Sequence, residues 1–133
     1  MGRRFAFPLK ADKIFRNMTN QEFEQLVTEA LVNLPIFFKE KLENVDVVVE
    51  EWPSPEMAKG RLLLGLYQGV PKTNRGAGYT MVLPDKITIF KGPIELVSRG
   101  NRQAIKNTVV DTVQHEIAHH FGISDARLKE LKK

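Results

Sequence analysis

Residues 102–125 read RQAIKNTVVDTVQHEIAHHFGISD, and the arrangement of the whole chain turns on them. The breakers Gly92-Pro93 and the turn signal Arg99-Gly100-Asn101 precede this stretch, so a long helix is expected from about Arg102 to Phe121, with Gly122 suited to its left-handed C-cap. On such a helix His115 and His119, four residues apart at roughly 100° per residue, project from nearly the same face and can share one ion. Glu116 lies about 100° around from His115, within reach of a water on that ion but angled away from direct coordination, which is the placement of a general base.

A third ligand must come from beyond the helix. Gly122 turns the chain, and Asp125, three residues later, offers a carboxylate that completes a His, His, Asp set with one position open, a donor set that suits zinc. Asp125 as the cap of a terminal helix Ala126 to Leu131 is the competing reading, although Ser124 can do that capping and leave Asp125 free. His120 points about 100° away from His119, toward Val113, Ile117 and Phe121, and is expected to be a partly buried, hydrogen-bonded histidine and not a ligand. Asp111, one turn before His115, is either the acceptor for its spare ring N–H or an exposed helix charge. An HExxH pattern arises by accident in roughly a few per thousand chains of this length, and fixed offsets to Gly122 and Asp125 lower that by about two further orders of magnitude, so chance is a poor explanation.

Working outward, Phe23, Leu26, Val27, Ala30, Leu31 and Leu34 recur at helical spacing, which predicts a core-packing helix from about Asn20 to Leu34, opened by a Thr19/Glu22 capping box and ended by Pro35. Val45 to Glu51, rich in β-branched residues, predicts a strand stopped by Trp52-Pro53-Ser54-Pro55. Leu62 to Tyr67 predicts a second, buried strand, and Gly69 to Gly78 a mobile loop. Tyr79 to Leu83 and Lys86 to Phe90, separated by Pro84-Asp85, predict an antiparallel hairpin. The expected fold class is therefore α+β: one domain over residues 1–133, a small mixed sheet packed against helices, with the metal-binding motif on a long C-terminal helix.

With 42% hydrophobic and 27% charged residues the chain falls in the ordinary range for one globular domain. It has no cysteine, which excludes disulfides and thiolate metal sites and leaves imidazole and carboxylate as ligands. No apolar run reaches the roughly 18 residues needed to span a bilayer, and MGRRFAFPLK is interrupted before a signal-peptide core can form, so a cytoplasmic protein without a membrane partner is expected. A net charge of +4 permits weak attraction to polyanions, but the basic residues are scattered and Lys129, Lys132 and Lys133 read as a solvated helix end.

The motif HExxHxxGxxD, present as HEIAHHFGISD at 115–125, resembles that of the zincin metallopeptidases, and LLLGLYQGVP at 62–71, VLPDKITIF at 82–90 and HEIAHHFGI at 115–123 together resemble the small bacterial family of minimal zincin-like metallopeptidases. The resemblance implies a zincin-like fold, Zn2+ held by His115, His119 and Asp125, and Glu116 as catalytic base in peptide-bond hydrolysis through a metal-bound water, with a peptide or protein as substrate. It also implies that Tyr79 to Leu83 is an edge strand bordering the cleft, with Lys86 to Phe90 inside it. The methionine turn of larger metzincins is not expected, since Met1, Met18, Met57 and Met81 all precede the motif, and Glu130 is a poor substitute for a downstream carboxylate ligand. Two other functions compete. Bacterial ribosomal-RNA maturation endoribonucleases space their metal ligands like His115, His119 and Asp125 but lack a glutamate after the first histidine, and Glu116 argues against that reading. A non-catalytic zinc-binding module is the third.

Overall fold

A computed structural model describes residues 18–69 and 84–132. Its elements in chain order are α1 (Asn20–Val32), α2 (Ile36–Lys41), β1 (Val45–Glu50), α3 (Pro55–Ala58), β2 (Gly65–Gln68), β3 (Asp85–Phe90), α4 (Lys91–Ser98), α5 (Arg102–Phe121) and α6 (Asp125–Leu131). The architecture is α+β, as expected: among the described residues a three-stranded mixed sheet in the order β1-β3-β2 has helices packed against it. β3 runs parallel to β1, from Val45 opposite Asp85 to Glu50 opposite Phe90, and antiparallel to β2, from Gly65 opposite Ile89 to Gln68 opposite Lys86. A central strand has neighbours on both sides, which explains why Ile87, Thr88, Ile89 and Phe90 are all buried in an uninterrupted run.

The capping box forms as predicted: the Thr19 hydroxyl accepts from the Glu22 amide while the Glu22 carboxylate accepts from the Thr19 amide. Phe23, Leu26, Val27 and Ala30 turn inward from α1. They meet Ile105, Val109, Val113 and Ile117, which recur every fourth residue along α5, and Ile87 and Ile89 of the sheet. Each of these fully buried aliphatic side chains contributes about 1.5–3 kcal/mol, so this seam fixes where the long helix lies. α5 itself runs Arg102–Phe121 as expected, opened by the Asn101 side chain accepting from the Ala104 amide and closed by Gly122 at φ 67°.

Several expectations are corrected. α1 stops at Val32, where the Asn33 amide bonds back to Ala30 and Leu31, and Pro35 starts the next helix instead of ending this one. The Trp52-Pro53-Ser54-Pro55 stop is followed by the short α3, because Ser54 caps it and a proline at the first helical position has no amide to lose. Gly92-Pro93 does not break the chain, since both lie in the first turn of α4, where a proline displaces no helical hydrogen bond. That turn is anchored by buried Lys91, 3.7 Å from Glu51 and 3.6 Å from Glu95. β2 begins at Gly65 instead of Leu62 and is half-buried beyond Gly65, as suits the edge of the described sheet. The predicted strand Tyr79 to Leu83 and most of the predicted loop Gly69 to Gly78 lie outside the described residues, while Asp85, expected in the hairpin turn, is the first residue of β3. Among the described residues no helix is long and apolar enough to cross a membrane.

Candidate metal and hydrolytic site

α5 carries three rows of side chains along its length. Ile105, Val109, Val113 and Ile117 form the buried row. Thr112, Glu116 and His120 form a second row lying against β2, and Asp111, His115 and His119 a third facing solvent. The second row is held by a match of repeat lengths. Four residues of helix rise about 6 Å and two residues of strand about 6.6 Å, so every helical turn meets the next same-facing strand residue. Thr112 thus meets Gly65, Glu116 meets Tyr67, and His120 meets Gly69.

Gly65 shows how close the approach is. A Cβ there would stand 2.6 Å from Thr112 Cγ2 and 3.0 Å from the Thr88 carbonyl oxygen, so only glycine lets α5 lie this near the strand. One step along, the Tyr67 amide donates to Glu116 Oε1 at 2.9 Å. Leu64 accepts from Phe90 in the ladder to β3, and strand alternation turns the Tyr67 amide to the opposite edge, where the glutamate takes it. The Glu116 side chain is only 18% exposed, and its second oxygen, Oε2, faces His119 Nδ1 at 4.0 Å.

Tyr67 is itself braced. Its hydroxyl donates to Asp85 Oδ2 at 2.7 Å, and its ring stacks on His120 with centroids 3.9 Å apart and planes inclined by 19°. Burial, then the hydrogen bond to Asp85 and that carboxylate's charge, push the phenol up to about 12, so it stays a donor at physiological pH. His120 is therefore exposed and stacked, not partly buried as expected, because the side of α5 it shares with Glu116 lies along the strand and not in the core.

The histidines of the outer row bear on a metal. His115 Nδ1 lies 2.8 Å from the Asp111 carbonyl oxygen, which can only accept, so Nδ1 carries a proton and Nε2 is the ring atom left for a ligand bond. That is the ligand-ready arrangement, fixed by a backbone partner. The Asp111 carboxylate does not take this role; it stands 3.7 Å from the Lys132 ammonium. The two rings have centroids 6.5 Å apart, and His119 is largely exposed. The two imidazoles would be the nitrogen ligands of a zinc ion, and the exposed His119 side chain is the one of the pair with room to turn.

Asp125 opens α6, whose N-cap is Ser124, the Ser124 hydroxyl accepting from the Arg127 amide at 3.1 Å. The capping is thus done without Asp125, whose exposed carboxylate is favoured at the positive end of the helix. Among the described residues, no three histidine or carboxylate side chains are gathered closely enough to hold a metal ion; His115 and His119 face each other along α5, and Asp125 lies in the first turn of α6. The donor chemistry of the two histidines fits zinc.

A cleft of about 570 Å³ opens beside this row, lined by Leu63, Leu64, Val97, Thr108, Thr112, His115 and Glu116 among others. Its walls are mainly apolar, and its charged and imidazole groups lie along α5. Tyr67 is the contributor that sequence reasoning left without a role, since its amide is common to every residue type. The available signal was the alternation Gly65, Tyr67, Gly69, which clears one strand face for a helix.

Residues 42–133 match the family model described as zincin-like metallopeptidase. No curated protein matches the chain.

Proposed function

The chain belongs to the zincin-like metallopeptidase family, and from that premise we propose that it is a zinc-dependent peptidase with Glu116 as general base. The observation that carries the reading is the state of Glu116: a half-buried carboxylate with Oε1 held by the Tyr67 amide and Oε2 turned toward the histidine row, at the mouth of an apolar cleft. A general base needs this combination of a fixed position and one oxygen left for the proton.

Zinc would be held by His115, His119 and Asp125, and when bound it supplies polarisation of the scissile carbonyl and acidification of water. The rest of the chemistry falls to the chain's own groups. Glu116 Oε2 takes a proton from the attacking water and returns it to the leaving amine, while Oε1 keeps its amide donor throughout. The cleft lined by Leu63, Leu64 and Val97 seats an apolar side chain of the substrate and excludes water from one flank of the carboxylate.

The test is a peptide-library assay on zinc-loaded protein beside Glu116→Gln. The variant is expected to bind zinc with wild-type stoichiometry and to turn over peptides at least about 100-fold more slowly. Cleavage by the variant at the wild-type rate would falsify the mechanism.

A further inference from the structure

The contacts between α5 and β2 form a device with a purpose of its own. Thr112 against Gly65 fixes the spacing of helix and strand at one end, and the His120 ring on Tyr67 fixes it one turn beyond Glu116. Between them lies the hydrogen bond from the Tyr67 amide that orients the Glu116 carboxylate. A strand amide that faces away from β3 and a glutamate on a neighbouring helix have no covalent or ladder restraint in common, so their 2.9 Å contact lasts only while the two elements keep their distance. We propose that Tyr67 is the positioning residue of Glu116, and that His120, by stacking on its ring, clamps β2 to α5 so that the amide stays on the carboxylate.

The chemistry of the clamp is specific. Asp85, at the start of β3, accepts from the Tyr67 hydroxyl and so holds the far end of the ring whose face lies against His120. Phe121 meets Tyr67 edge-to-face at 6.4 Å and His120 at 4.8 Å, and Lys41 covers Phe121 at 4.7 Å, so the stack has support on its outer side. Stacked aromatic pairs contribute about 0.5–1.5 kcal/mol beyond the area they bury, which corresponds to roughly two- to twelvefold in a local opening equilibrium. What the clamp requires of position 120 is a flat ring. It does not require an imidazole, a charge or a metal.

For its effect on turnover this proposal rests on the peptidase reading; for its effect on the Tyr67 amide it does not. The experiment therefore reads both, in wild type, His120→Ala, His120→Phe and Glu116→Ala. Hydrogen exchange of the Tyr67 amide is expected to accelerate about two- to tenfold in His120→Ala and further in Glu116→Ala, and to return close to the wild-type rate in His120→Phe. Peptide turnover should follow the same order between the two His120 variants, as a fall in kcat with KM within about twofold, and zinc stoichiometry should stay at the wild-type value in both. An unchanged Tyr67 amide in His120→Ala would overturn the clamp, as would a phenylalanine that restores nothing or a loss that appears in KM alone. A wild type that cleaves no peptide while the exchange rates follow the expected order would remove the peptidase reading and leave the clamp standing.

Discussion

The phenol of Tyr67 and the carboxylate of Asp85 share a hydrogen bond whose strength depends on pH in a definite direction. The folded phenol titrates at about 12 against an ordinary value of 10.0, so between those values the native state holds a proton that the unfolded chain has released. Stability linked to this group is fully present below about 10 and falls as pH rises toward about 12. Tyr67→Phe lacks the hydroxyl and should be less stable than wild type by roughly 1.5–3 kcal/mol at neutral pH, a hydrogen bond to a charged acceptor being worth that much. The gap should close as pH climbs through the window, which urea midpoints for the two proteins at several alkaline pH values would show. A gap that widened above pH 10 would mean that the phenol is not held protonated by its surroundings.

Among the helices and strands, the approach of α5 to β2 decides the site, and Gly65 controls it. Gly65→Ala places a methyl 2.6 Å from the Thr112 methyl and 3.0 Å from the Thr88 carbonyl, an overpacking expected to cost about 1–3 kcal/mol and to push the helix off the strand. Thr112→Ser removes the offending methyl, so the double variant should recover part of the loss; strictly additive denaturation energies would show that the two groups do not touch. The same contact explains what the sequence could and could not reveal. His115, Glu116 and His119 were legible because their grouping follows from helical spacing alone, and the helix limits from Asn101 and Gly122 because caps are local. The two sides of the helix were not. Whether the row at 112, 116 and 120 meets core, strand or solvent depends on sheet order and on a glycine 47 positions before Thr112, neither of which leaves a mark near the motif. Hence His120 was expected to be partly buried and Tyr67 received no role. α4 was missed for a related reason: Gly92-Pro93 signals a break in isolation, and only the ion pairs of Lys91 with Glu51 and Glu95 show that a helix starts there.

For the molecule as a whole, the open question is what joins α6 to the rest, and zinc provides the means to ask it. The terminal helix is attached to α5 by the Ile123 amide on the Ala118 carbonyl at 2.8 Å, by the Lys132–Asp111 pair at 3.7 Å and by Leu128 in the core. An ion bound by His115 and His119 on α5 and by Asp125 on α6 would add a bridge between the two helices that only the folded chain can make. A ligand bound by the native state alone stabilises it by about 2.7 kcal/mol when present at a hundred times its Kd, and in a domain near this size that raises Tm by on the order of 10 °C. Thermal melts with and without zinc should show such a rise in wild type and little of it in His119→Ala. Asp125→Ala is the discriminating case, because its carboxylate is exposed and makes no packing contribution that its loss would confound. With Asp125 as the third ligand, the variant keeps nearly the wild-type Tm in chelator but gains far less from zinc. An equal gain in wild type and Asp125→Ala would instead show that the two histidines complete their site with some other group.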